Sequence, residues 1–224
     1  YIKDESIVRH LDPNLSIYRT RSYNPLEHAL SYRKAIKNKQ KMAVSHGTTS
    51  VHKSYRQVFK DLITESFRIP DRQIGWLPFA VLRGLQILWR HQINIIYSSG
   101  NPWTSHLIGL VLSKISRRPW IADFRDPWML NTYKESRFRF IEAIEGRLEQ
   151  LVVENANFIV CNTLPLKQQF QVAYPHLDPA RFVHIGNGFL ADLFKHLDYR
   201  KMDTRLVLTH VGTLYAHRSP IALL

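Results

Sequence analysis

From residue 93 onward the chain alternates between short apolar runs and amphipathic stretches, and this alternation predicts most of the fold. "INIIYSS" is apolar at consecutive positions, the pattern of a strand covered on both faces. "NPWTSHLIGLVLSKIS" then carries its apolar residues at helical spacing behind an Asn cap and a Pro at the first helical position. "PWIADF" reads as a second strand, so 93–124 forms a βαβ unit. A long helix follows in "SRFRFIEAIEGRLEQLVVENA", with Phe140, Ile141, Ile144, Leu148, Leu151 and Val152 on its apolar side. Glu142, Glu145 and Glu149, beside Arg139 and Arg147, are expected to make a salt-bridged solvent face. "NFIVCN" is a strand, "PLKQQFQVA" a helix, and "RFVHIGNGF" a short strand with a turn.

The amino-terminal third is less regular. "LSIYRT" (15–20) alternates as a short strand would, whereas 33–54 is basic, polar and reads as a loop. "YRQVFKDLITESF" is predicted to be helical, with Val58, Phe59, Leu62, Ile63 and Phe67 on one side. "PFAVLRGLQILWRHQ" is predicted to be a helix opening on Pro78 and apolar nearly all round; it suits a core, although Arg83, Trp89, Arg90 and His91 also suit an interface. Beyond a polar stretch at 190–204, "RLVLTHVGTLY" reads as a new strand and glycine turn, the start of a second α/β unit. The predicted fold class is therefore α/β, a Rossmann-like parallel sheet with helices on both faces, and such sheets bind ligands at the carboxyl ends of their strands.

Composition narrows the partners. The 224 residues are 45% hydrophobic, enough for a real core. Lys and Arg number 31 against 18 Asp and Glu, a formal charge of +13 that favours phosphorylated ligands and anionic membrane surfaces. No apolar run approaches the roughly 20 residues needed to span a bilayer. The single cysteine, Cys161, lies in "FIVC" and reads as a small core hydrophobe. No phosphate-binding glycine loop, no D-x-D and no ligand-spaced histidine cluster is present, so no metal site is expected. A basic nucleic-acid-binding module is the rival reading. The spread of the charge along the chain and the lack of any recognised motif count against it, and no nucleic-acid partner is expected.

The polar residues gather where the strands end: "SSGNP" and "SH" after the first, "RDPW" after the second, "NT" after the third and "NGF" after the fourth. Candidate substrate-binding residues are Ser99, Asn101, His106, Arg125, Asp126, Thr163 and Asn187. His106, in the first turn of a helix, is placed to bond a hydroxyl or phosphate, with a cap or surface role as the alternative. Asp126 is expected to hold Arg125, and Asp123 to act as a strand-end hydrogen-bond acceptor bound by Arg125. Trp103 and Trp128 read as core or rim packing, and Asn187 and Gly188 as shaping their turn.

"IIYSSGNPWTSHLIGLVLSKISRRPWIADFRDPW", "RLEQLVVENANFIVCNT", "VHIGNGF" and "LTHVGTLYAHRSP" resemble, in order and spacing, family 4 glycosyltransferases of the GT-B fold, especially bacterial enzymes of surface-polysaccharide assembly. That resemblance implies an acceptor-side Rossmann-like domain over 1–196, a linker over 197–204, and the first strand and turn of a donor-binding domain over 205–224. It also implies a fragment, lacking the first strand with its glycine-rich loop and most of the donor domain, and inactive alone. Gly212 and Arg218 would take the donor diphosphate, Gly212 by close backbone approach and Arg218 by its charge. The implied activity is metal-independent sugar transfer, with retention, from a nucleotide-sugar co-substrate to a lipid-linked or polysaccharide acceptor. The implied location is cytoplasmic, with peripheral contact to the inner face of the cell membrane. A catalytically inactive GT-B scaffold remains the alternative within that family.

Overall fold

The structure, a computed structural model, describes residues 12–23, 66, 68–129, 138–189, 209 and 211. It is α/β, built on a four-stranded, all-parallel sheet in sequential order and flanked by helices. A 3₁₀ turn at Ile74–Trp76 leads into α1 (Leu77–Arg90), followed by β1 (Ile96–Gly100), α2 (Thr104–Ser116), β2 (Trp120–Phe124), α3 (Arg139–Asn155), β3 (Phe158–Cys161), α4 (Leu164–Ala173) and β4 (Phe182–His184). Every element predicted between 78 and 184 is present.

Strand alternation divides the sheet into two unlike faces. Ile96, Ser98, Trp120, Ala122, Phe124, Ile159, Cys161 and Phe182 point inward and are buried. They meet Leu107, Ile108 and Leu112 of α2, Val152 and Val153 of α3, and Leu166 and Phe170 of α4. Aromatic contacts continue through this layer: Trp128 stacks on Trp103 at 5.2 Å, Trp103 lies 6.0 Å from Phe124, and Phe124 meets Phe170 edge-on at 4.9 Å. Trp103 and Trp128 thus belong to the core. On the other face Tyr97 and Phe158 remain 60% and 47% exposed, so that face is partly open to solvent. Cys161 is buried, and burial pushes its thiol up to about 12.

Several local expectations are corrected. Residues 15–20 form no strand; the segment is held at the two ends of α1 instead, through Trp76 Nε1 donating to Thr20 Oγ1 at 2.6 Å and a Tyr18–His91 hydrogen bond at 3.1 Å. In α3 the buried face is Ile141, Glu145, Glu149, Val152 and Val153, while Phe140 and Ile144 are 44% and 42% exposed. Glu145 and Glu149 therefore do not belong to a solvent face. Glu149 is inside because its carboxylate has internal donors: the backbone N–H of Met129 at 2.9 Å and the hydroxyl of Tyr174 at 3.1 Å. These bonds tie the loop after β2 to α3 and α4. Burial, with Glu149 beside it, raises the pKa of the Tyr174 phenol and keeps it a donor.

The helix ends are closed by distant residues. Arg181 donates through Nη2 to the carbonyls of Val153, Glu154 and Ala156, which have no partner within α3. Helix α2 begins at Thr104 without a side-chain cap of its own, so Asn101 is not its cap and Pro102 is not its first residue. Asp71 takes that role, accepting from Thr104 N at 2.8 Å and Thr104 Oγ1 at 2.7 Å. Its negative charge also complements the positive end of the helix dipole.

Candidate functional site

The parallel register sets Gly100, Phe124, Cys161 and His184 level, so all four strands end on one line. The ladder continues one residue further: Arg125 N donates to Gly100 O at 3.2 Å, Asn162 N to Phe124 O at 3.4 Å, and Ile185 N to Cys161 O at 3.0 Å. The segments after the four strands therefore leave the sheet side by side, which is the usual position for a ligand in such a fold.

At this edge the outward face carries a connected polar cluster centred on Asp123. Tyr97 and Ser99 share that face because they lie two residues apart on β1 and Ser99 pairs with Asp123. Asp123 Oδ2 accepts from Tyr97 Oη at 2.6 Å and Ser99 Oγ at 2.9 Å, and Arg125 Nε lies 3.3 Å away. These groups cover the carboxylate, leaving Asp123 1% exposed, and its Oδ1 is buried without a hydrogen bond. Partial desolvation of the phenol at its bond to Asp123 raises Tyr97 to about 12, reinforced by that bond, so it stays protonated and donating at neutral pH although the residue as a whole is exposed.

Arg125 is the outward-facing member. Its Nη1 donates to Asn187 Oδ1 at 2.7 Å, its backbone carbonyl accepts from Asn162 Nδ2 at 2.5 Å, and its side chain is 46% exposed. Nη2 makes no hydrogen bond among the described residues. The guanidinium is thus fixed at two points and presents a free donor to solvent. Such an arrangement suits a hydroxyl pair, a carboxylate or a phosphate, because orientation is supplied before the ligand arrives.

No protein-family model matches the chain, and no curated protein matches it. The site therefore rests on its own geometry.

Of the predicted site residues, Ser99, Arg125 and Asn187 are brought together in this cluster. His106 is not part of it. It is 0% exposed, on the inward face, with Nδ1 at 2.8 Å from Ser98 Oγ and its ring stacked 4.6 Å from Phe124. Helix α2 covers the inward face, so its first turn directs His106 into the core; burial lowers the ring's pKa to about 4 and keeps it neutral. Its Nε2 is buried without a hydrogen bond. A Cβ on Gly100 would stand 2.6 Å from that nitrogen, so this strand end accepts only glycine at close range.

Asp126 is exposed, and the residue that holds Arg125 is Asp123. Thr163 caps α4 by accepting from Leu166 N at 3.3 Å, and Asn101 is exposed beside the end of β1. Gly212 and Arg218 lie outside the described residues, as do the loop 33–54, the linker 197–204 and nearly all of 205–224. Tyr97 and Asp71 have no place in the sequence-derived site, and Asn162 is placed by sequence at the strand ends without being a candidate binding residue. Strand alternation alone would have placed Tyr97 beside Ser99, whereas Asp71 carries no local signal. Among the described residues no group of three or more His, Cys, Asp or Glu is arranged to hold a metal ion.

Proposed function

We propose that this chain forms the acceptor side of a metal-independent, retaining glycosyltransferase that moves a sugar from a nucleotide-sugar to a hydroxyl of a lipid-linked or polysaccharide acceptor. The observation that supports it most directly is the Arg125 guanidinium, held by Asp123 and Asn187 at the carboxyl edge of a parallel sheet with one donor edge free. Sugar hydroxyls and the phosphate of a lipid-linked acceptor are matched by a planar, fixed donor of this kind. Asn187 and Asn162, both bonded to Arg125, supply neutral amides suited to hydroxyl recognition. Transfer then requires that the acceptor hydroxyl be held while the departing diphosphate meets positive charge, the role proposed for Arg218, with Gly212 admitting the diphosphate to the backbone.

Calorimetric titration with lipid-linked and free bacterial oligosaccharides tests the reading. A charged donor to a ligand is worth about 1.5–3 kcal/mol, so Arg125→Ala is expected to weaken acceptor binding by roughly tenfold or more. The thermal unfolding temperature should fall as well, because Arg125 covers the buried Asp123 carboxylate. Arg125→Lys, which keeps the charge and loses the planar fork, is therefore compared beside it and is expected to melt closer to wild type while still binding more weakly. Absence of glycan binding by the wild-type chain, or equal binding by Arg125→Ala, would overturn the assignment.

A further inference from the structure

Helix α1 presents a second surface that the acceptor site does not use. Its inward side is anchored by Ala80, Val81 and Leu88. Its outward side exposes Phe79 (39%), Leu82 (63%) and Trp89 (70%), three large apolar residues at helical spacing. Trp89 is the exposed one among the five tryptophans; Trp76 is half-buried and Trp103, Trp120 and Trp128 are in the core.

Basic groups flank this stripe. Arg83 and Arg90 are both exposed, and Leu77–Arg90 contains no acidic residue. Tyr18, Arg83, Trp89, Arg90 and His91 line an open groove of about 430 Å³. Arg83 is positioned there by its stacking over the Tyr18 ring at 4.8 Å and its bond to Gln86 Oε1 at 3.1 Å; Tyr18 is fixed by His91. Neither arginine makes an ion pair with an acid among the described residues. A soluble anion alone would have no use for exposed Leu82 and Trp89, and an apolar protein partner would have no use for two unpaired arginines beside them.

We propose that α1 is the membrane-contact surface of this protein. It lies in the plane of a bilayer rich in anionic phospholipid, with Phe79, Leu82 and Trp89 entering the headgroup boundary and a lipid phosphate seated in the groove between Arg83, Arg90 and His91. Charge complementarity selects this occupant: the face is basic and apolar together, within a chain of net charge +13, and the interfacial zone of an anionic bilayer offers the matching pair. The proposal stands independently of the glycosyltransferase reading, because none of these residues belongs to the Arg125 cluster.

Co-sedimentation of the full chain with phosphatidylcholine vesicles, with and without phosphatidylglycerol, is the test, joined to quenching of tryptophan fluorescence by brominated acyl chains. Binding is expected only with phosphatidylglycerol, and to weaken in high salt. Quenching should disappear in Trp89→Phe, which retains the apolar contact and removes the reporter. The double variant Arg83→Gln/Arg90→Gln is expected to bind roughly 30-fold more weakly, from about fivefold for each charge near such a surface. Leu82→Ser should weaken vesicle binding with an unchanged thermal melt, and glycan binding through Arg125 should be unaffected by all these variants. Equal binding to neutral vesicles, quenching that survives Trp89→Phe, or full binding by the double arginine variant would each overturn the proposal. Heparin or mixed-sequence DNA bound as tightly as vesicles, with no effect of Leu82→Ser on either, would replace it with a general polyanion surface.

Discussion

His106 should make this protein acid-sensitive, and the size of the effect follows from its surroundings. The ring lies between Trp103 and Phe124, bonded to Ser98, and burial lowers its pKa from 6.5 to about 4. In the unfolded chain it returns to its ordinary value. Because the folded pKa is the lower one, the unfolded state binds more protons between these limits. The stabilisation is complete above pH 6.5 and is lost as pH falls toward 4. Each unit of pKa difference is worth about 1.4 kcal/mol, so the loss reaches about 2 kcal/mol at pH 5 and on the order of 3 kcal/mol below pH 4.

The measurement is urea unfolding of wild type and His106→Phe at pH 7.5 and pH 5. Phe preserves the stack, and Ser98 Oγ still accepts from Trp120 Nε1 at 2.9 Å, although it loses the imidazole nitrogen. The variant is therefore expected to be somewhat less stable at pH 7.5, yet to lose about 2 kcal/mol less than wild type on going to pH 5. Contributions from the other histidines and from the carboxylates are common to both proteins and cancel in that difference. An identical pH dependence in the two proteins would show that His106 titrates normally and is not enclosed as described.

Asp71→Ala should destabilise the fold by about 1–2 kcal/mol in urea unfolding, since it removes both bonds that close the start of α2; a change within about 0.5 kcal/mol would show that water replaces the carboxylate. Gly109→Ala should also destabilise, by about 1–3 kcal/mol despite the better helix propensity of alanine. Its Cβ would lie 2.5 Å from Trp120 Nε1 and 3.0 Å from Ser98 Oγ, and a neutral result would show that the indole can move aside.

What the sequence disclosed and what it withheld separate along a physical line. Strands β1 to β4 and helices α1 to α4 were legible because each declares itself over a few neighbouring residues, through continuous apolar runs or helical spacing. Groups whose roles depend on distant partners were not. Glu149 looks like a surface residue until Met129 and Tyr174, 20 and 25 positions away, supply its donors. Asp71 looks like an ordinary turn residue until the start of α2, 33 positions later, arrives above it. Helical spacing places His106 in the first turn of α2 but does not reveal that this turn faces the core rather than the sheet edge.

The Ser98–Ser99 pair shows why that last distinction matters for function. Adjacent strand residues face opposite ways, so one serine enters each environment. Ser98 turns inward, where it accepts from Trp120 and meets His106 in a buried layer that fixes the end of β1. Ser99 turns outward and helps hold Asp123, which in turn holds Arg125 at the exposed edge. Two hydroxyls one residue apart thus belong to separate networks. A change at Ser98 should be felt as stability, and a change at Ser99 as the aim of a guanidinium. The charges that end the apolar strand "WIADF" follow the same division: Phe124 closes the core, while Asp123 is covered by the groups it orients and leaves only Arg125 to face a ligand.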